Sequence, residues 1–158
     1  LLTLRTDELF YSLGYTYTDS QRYDDDGRRY PSEQDQTHNL NFGIRYDWKN
    51  WSFGSRYRFV SGVPDTPILN GIYFENADVY IPVPREKLSD RLPSFWQIDI
   101  RIDRKWIYDE YILTAYLDIQ NVTNRENVLG FEYNFNYSDR AGSTGLPILP
   151  TFGVKGEF

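Results

Sequence analysis

The sequence has no cysteine and no methionine, and His38 is its one histidine. Without cysteine there is neither a disulfide framework nor a thiolate metal site. A histidine with no second one in the chain offers no imidazole ligand pair, and His38 reads as a residue at a strand boundary. Also missing are a Gly-x-Ser-x-Gly elbow, a phosphate-cradling glycine loop and a metal-ligand cluster, so the residues give catalysis no support. Positive charge is in deficit, 17 Lys and Arg against 23 Asp and Glu, for a net charge of -6. That balance excludes a nonspecific nucleic-acid binder, whose surface must be basic. No apolar run approaches the roughly 20 residues of a membrane-spanning helix, and mean hydropathy is -0.63. The same average is produced by a transmembrane β-barrel, whose strands are apolar only at alternate positions.

What the chain has in abundance is aromatic residues: ten Phe, fourteen Tyr and four Trp, 18% of 158. They fall on rows of period two. The stretch Phe95 to Asn124 organises the rest and reads as one long hairpin. Its first arm sets Trp96, Ile98, Ile100, Ile102 and Trp106 on one face and Gln97, Asp99, Arg101, Asp103 and Lys105 on the other. Arg104 alone breaks the apolar row. The second arm sets Leu113, Ala115, Leu117 and Ile119 against Thr114, Tyr116, Asp118 and Gln120. Arms of about 11 to 13 residues are roughly twice the usual strand and match a tilted bilayer crossing. Trp96 and Trp106 bracket the apolar row as headgroup-level rings would.

Taken in order, Leu1 to Arg5 reads as the tail of a strand whose beginning is missing, and the lack of a signal peptide within the sequence reads as a mature or cut chain. Strands are expected over Leu9 to Thr18, His38 to Trp48 and Trp51 to Gly62, the last two joined by a tight turn at Lys49-Asn50. Phe10 is the one misfit on an inner, polar row. Between the first two strands, Asp19 to Asp35 is a polar connection whose Asp24-Asp25-Asp26-Gly27 run carries only a fragment of calcium-loop spacing and reads as solvated. Gly62 to Pro93 holds most of the prolines and reads as irregular, with room for a short hairpin at Gly71 to Pro82. After an Asn-rich turn at Asn121 to Asn127, Val128 to Ser138 alternates cleanly and is expected as a sixth wall strand. Pro147 to Phe158 is the last. Asn121-Val-Thr123 and Asn136-Tyr-Ser138 match a glycosylation sequon, which a barrel in a bacterial outer membrane would make incidental.

Six short segments carry a resemblance. They are Gly14 to Asp19, His38 to Asn41, Tyr57 to Gly62, Gln97 to Arg101, Leu117 to Asn124 and Pro150 to Gly153. In that order, across nearly the whole chain, they resemble the carboxyl-terminal third of a TonB-dependent outer-membrane receptor, with Val122-Thr123 departing from the family's usual aromatic or Leu. The resemblance implies an all-β fold: an antiparallel transmembrane β-barrel segment, residues 1–158 supplying seven complete strands and one cut strand of about 22. It implies that the plug and the TonB-engaging motif lie outside this sequence. The last strand is similar to the signal read by the barrel assembly machinery. Thr151, Gly153 and Phe158 match it, while Gly156 stands where a hydrophobic residue is usual. With the carboxyl terminus in the periplasm, as in that family, counting strands back makes Asp139 to Leu146, Ile107 to Glu110 and Lys49-Asn50 extracellular. Asn121 to Asn127 and Gly62 to Pro93 become periplasmic.

The function so implied is energised uptake of a scarce nutrient of the siderophore, vitamin or glycan class, in the outer membrane of a Gram-negative bacterium. It is not an enzyme and uses no cofactor. Its partners would be outer-membrane lipid, the remaining barrel and plug, the TonB complex and the assembly machinery. Arg45, Arg56, Arg58, Asp99, Arg101, Asp103 and Asp118 are the lumen-facing candidates, in reach of the plug or an anionic ligand. The plainer reading of the same charges is cross-strand pairing that keeps the wall wet. Two other architectures stay open: a closed eight-stranded barrel acting as anchor, adhesin or pore, and a soluble lipocalin-like barrel with its apolar rows inside.

Overall fold

Period-two alternation commits a backbone to extended pairing, and the computed structural model, which describes residues 1–158, is built from antiparallel strands without a helix. Seven strands form the main sheet: β1 (Leu2–Arg5), β2 (Leu9–Tyr17), β5 (His38–Trp48), β6 (Trp51–Val60), β11 (Phe95–Ile107), β12 (Ile112–Gln120) and β15 (Leu149–Glu157), paired in that order. The remaining eight make four two-stranded ribbons in the connections. β3 (Gln21–Tyr23) pairs with β4 (Arg29–Pro31), and β7 (Pro64–Asp65) with β10 (Asp90–Arg91). β8 (Ile68–Phe74) pairs with β9 (Val79–Pro84), and β13 (Val128–Tyr133) with β14 (Arg140–Thr144).

Register decides which side chains share a face, because a one-residue slip would invert a strand. No slip occurs in the main sheet. Leu13 stands opposite Phe42, Phe42 opposite Tyr57, Tyr57 opposite Ile98, and farther along Ile102 opposite Leu117 and Leu117 opposite Phe152. One face therefore carries the apolar rows, while Phe10, Val60, Phe95, Ile107, Ile112 and Leu149 fall on the other. The other carries Asn41, Arg58 and Gln97 in one cross-strand row and Arg45, Gly54, Arg101, Asp118 and Thr151 in another.

The segment Val128 to Ser138 corrects the expectation of a sixth wall strand. β12 pairs directly with β15, and β13 turns back on β14 outside the sheet. Turn chemistry outweighs alternation here. Asn134 Nδ2 donates to Ser138 Oγ at 3.0 Å, Asn136 Oδ1 accepts the Ser138 N–H at 3.1 Å, and Tyr137 takes φ 58°, so the chain reverses within the aromatic run. The Gly62 to Pro93 connection holds the expected hairpin, extended to Ile68–Pro84 by β8 and β9.

Losing one wall strand re-sorts the connections. The short turns Thr6 to Glu8, Lys49-Asn50 and Tyr108 to Tyr111 all lie at one end of the sheet. The three long connections, 18–37, 61–94 and 121–148, all lie at the other. This corrects the expected grouping of Asp139 to Leu146 with Ile107 to Glu110 and Lys49-Asn50: it lies with Gly62 to Pro93 and Asn121 to Asn127.

The sheet is open, with β1 and β15 at its edges, so the eight-stranded closure is not formed. Nor does anything pack on either face. Seven of 158 residues are buried, and all are in the connections: Ser32, Asp35, Pro64, Pro67, Leu88, Asn121 and Asn127. The accessible surface is 11594 Å², whereas a globular chain of 18.8 kDa exposes about 8,300 Å². A stable layered domain covers its apolar face; this sheet leaves its own bare.

Candidate functional site

The pleat places all seven charged candidates on the polar face, and cross-strand register brings most of them together. Arg56 reaches Asp99 across β6 and β11 at 2.6 Å. Arg101 contacts Asp103 along its own strand at 2.8 Å and Asp118 on β12 at 3.4 Å. Arg45 bonds Asp47 at 2.9 Å and Ser52 Oγ at 2.9 Å. The carboxylates are recessed and the guanidinium groups stand proud: the Asp99 side chain is 12% exposed against 62% for Arg56. Arg58 alone among the candidates has no carboxylate. It lies 4.7 Å from the centre of the Phe95 ring, a cation held by an aromatic face.

Sequence reasoning missed Phe95, counted only as a strand start, and the pairing of Asp47 with Arg45. Lys105, Lys155 and Glu157 also belong to this face. Counting Arg5, Arg45, Arg56, Arg58, Arg101, Lys105 and Lys155 against Asp47, Asp99, Asp103, Asp118 and Glu157, the face holds two more cations than carboxylates, although the whole chain is at -6. At its centre lies a trough lined by Arg45, Gly54, Arg56, Asp99, Arg101 and Asp118 among others. Gly43 and Gly54 supply the room, since neither places a side chain over the floor.

The three assembly-signal residues have local roles as well. Thr151 Oγ1 donates to the Asp118 carbonyl at 3.3 Å. Gly153 stands opposite Tyr116, whose ring covers it so closely that a Cβ there would meet the hydroxyl at 2.5 Å. That ring in turn carries Arg101, 4.2 Å from its centre, an aromatic side chain rescuing a glycine across the ladder. Phe158 tilts on Tyr111 with centroids 6.2 Å apart. His38 lies on the apolar face at the end near the long connections, its Nδ1 sharing a 2.9 Å hydrogen bond with the Tyr15 hydroxyl and its ring stacked on Tyr15.

Above the charged face, the long connections are tied by buried polar groups. Arg91 of β10 donates to Asp35 Oδ2 at 2.5 Å, to the Asp35 carbonyl at 3.1 Å and to the Gly62 carbonyl at 2.9 Å, linking connection 18–37 to 61–94. Burial pushes the Asp35 carboxyl up, but Arg91, the Ser20 N–H and the Thr37 hydroxyl outweigh it and hold the group below its ordinary value of 3.8. A depressed carboxyl stabilises the folded state above its unfolded pKa, and the contribution is lost as pH falls through the folded one. Hydrogen-exchange protection at Ser20 and Leu92, taken relative to the intrinsic amide rate at each pH, is therefore expected to be constant from neutral pH to about pH 4 and to fall below it. Arg91→Gln should open the same contacts at neutral pH by about 2 kcal/mol, less than for a fully buried pair because Arg91 is half exposed.

Comparison with protein-family models, with curated proteins and with solved structures gives no match.

Proposed function

We propose that the chain is part of the wall of a transmembrane β-barrel in a Gram-negative outer membrane, of the TonB-dependent receptor kind. Its task there is energised uptake of a scarce nutrient of the siderophore, vitamin or glycan class. One observation carries the reading. An apolar face and a charged face run in unbroken register through seven strands, with no residue of that sheet buried. Water on both faces would leave the apolar rows uncompensated, whereas lipid on one and a wet lumen on the other satisfies both. The six longer strands have 9 to 13 residues, the length a tilted strand needs for a hydrocarbon layer of roughly 30 Å.

The connections supply separate support. Barrels keep short turns on the periplasmic side and long loops outside. That rule makes 18–37, 61–94 and 121–148 extracellular and brings the end of β15 to the periplasmic side, where the family resemblance also sets it. In this reading the chain does no catalysis. The paired charges keep the lumen wet and rigid, and Arg58, free of a carboxylate, is the cation offered to the plug or to an anionic ligand. The edges of β1 and β15 pair with further strands, and Thr151, Gly153 and Phe158 serve the assembly machinery. The plug and TonB engage elsewhere.

The 158 residues carry no cysteine, so none has to be removed from them before the test. Single cysteines along β11 at Gln97, Asp99 and Arg101, and at Ile98, Ile100 and Ile102, are introduced into the whole protein in cells. A membrane-impermeant maleimide applied to opened cells is expected to label the first set and spare the second. Equal labelling of both sets would end the membrane reading.

A further inference from the structure

At the short-turn end of the apolar face, three of the four tryptophans gather around two cations. Trp48 pairs across the tight turn with Trp51, and Trp51 stands opposite Arg104. The Arg104 guanidinium lies 4.9 Å from the Trp51 ring centre and 5.0 Å from that of Trp106. Lys49 Nζ lies 5.2 Å from the Trp48 centre. Together they line a surface trough of about 240 Å³.

Arg104 interrupts a row that is otherwise Trp96, Ile98, Ile100, Ile102 and Trp106. Ring faces attract its charge but accept none of its five in-plane N–H donors. No carboxylate pairs with Arg104 or Lys49; Asp47 and Asp103 are on the opposite face and serve Arg45 and Arg101, while Asp109 and Glu110, in the neighbouring turn, form no ion pair. Two unpaired cations set among indole rings at the border of an apolar surface match a phosphate carrying acyl chains.

Resting on the wall reading above, we propose that this trough is a binding site for one anionic glycerophospholipid of the periplasmic leaflet. Its phosphate sits between Arg104 and Lys49, and its acyl chains lie along Phe53, Ile102 and Leu113. Charge complementarity selects a headgroup without a cation of its own, since an ammonium would meet Lys49.

The tryptophans report on the site. Brominated phosphatidylglycerol and brominated phosphatidylcholine are each titrated against the full chain in membranes, and quenching of its fluorescence is followed. At about fivefold per surface cation, phosphatidylglycerol is expected to be preferred by roughly tenfold or more. Arg104→Gln with Lys49→Gln should remove the preference while quenching by both lipids persists. Arg104→Lys, and Lys87→Gln in a distant connection, should keep it. Equal quenching by both lipids in the unaltered protein, or a preference that survives the double substitution, overturns the site and leaves the wall reading standing. No quenching by either lipid overturns both.

Discussion

Asn121→Ala is expected to destabilise the protein by about 3–5 kcal/mol, measured by urea unfolding in detergent micelles or lipid. Asn121 is 1% exposed and every polar atom of its side chain is used. Nδ2 donates to the Arg125 carbonyl at 3.0 Å and the Leu146 carbonyl at 3.1 Å, and Oδ1 accepts the Arg125 N–H at 3.0 Å. Removing the amide leaves these three part-buried groups without their partner, at about 1 kcal/mol each. The backbone adds its own penalty. Asn121 has φ 50°, a left-handed conformation that Asn tolerates and Ala pays for at about 1 kcal/mol. Asn121→Gly separates the two contributions: it accepts the dihedral but not the hydrogen bonds, so it should recover about 1 kcal/mol and no more. Asn121→Asp should be at least as harmful as Ala, because a carboxylate oxygen would replace the amide donor against two carbonyls. A loss below 1 kcal/mol for Ala would mean that the 121–148 connection is held by other contacts.

Asn121 matters beyond its own turn. Its N–H donates to Asp99 Oδ1 at 3.0 Å, and the other Asp99 oxygen holds Arg56. A second buried amide, Asn127, bonds both the N–H and the carbonyl of Trp96. The rim of the sheet is thus fixed by side-chain amides standing in for a missing strand ladder, and the charged face is anchored to that rim.

Such contacts explain what was legible in the sequence. Face assignment was legible because period two is rigid: once Ile98 and Ile100 point one way, Asp99 points the other. β5 matches its expected span of His38 to Trp48, and β2 and β6 stop one and two residues early. That Asp99 and Arg56 share a face also follows from local information, whereas their meeting depends on the register of β6 on β11. Phe10 stayed a misfit, lying on the polar face opposite Arg5 and Arg45. What alternation cannot state is the partner. Val128 to Ser138 has the same pattern as a wall strand, and only Asn134 and Asn136, read as turn formers, would have shown that the run folds on itself. The Arg91 to Asp35 contact, 56 residues apart, joins two connections with no periodicity at all. Arg58 on Phe95 depended on cross-strand register that no residue type announces.

Ile100→Arg is the substitution that weighs most on the proposed environment. Ile100 stands near the middle of β11 on the apolar face, opposite Ser55 on β6 and Ile119 on β12. In lipid, an arginine at mid-depth on the outer face of a barrel costs about 2–4 kcal/mol, falling to about 0–1 kcal/mol near the interface. Ile100→Arg should therefore lower unfolding free energy in phospholipid by the larger amount and reduce the level of assembled protein. Trp106→Arg, on the same face but at the short-turn end beside the native Arg104, should lose no more than the smaller amount plus its ring contact with that residue. Gln97→Arg, one face over, gives up the 2.6 Å bond from Gln97 Nε2 to Asp99 and stands opposite Arg58, so it should cost about 1 kcal/mol, below the cost at Ile100. The gradient is the diagnostic. If the apolar face were exposed to water, both variants on it would be near neutral. If it were covered by another protein layer, arginine would be costly wherever that layer packs, with no dependence on distance from the sheet's ends. A cost that peaks at Ile100 and fades toward Trp106, while Gln97 takes the same charge at less cost than Ile100, is the signature of a hydrocarbon slab on one side of this sheet and water on the other.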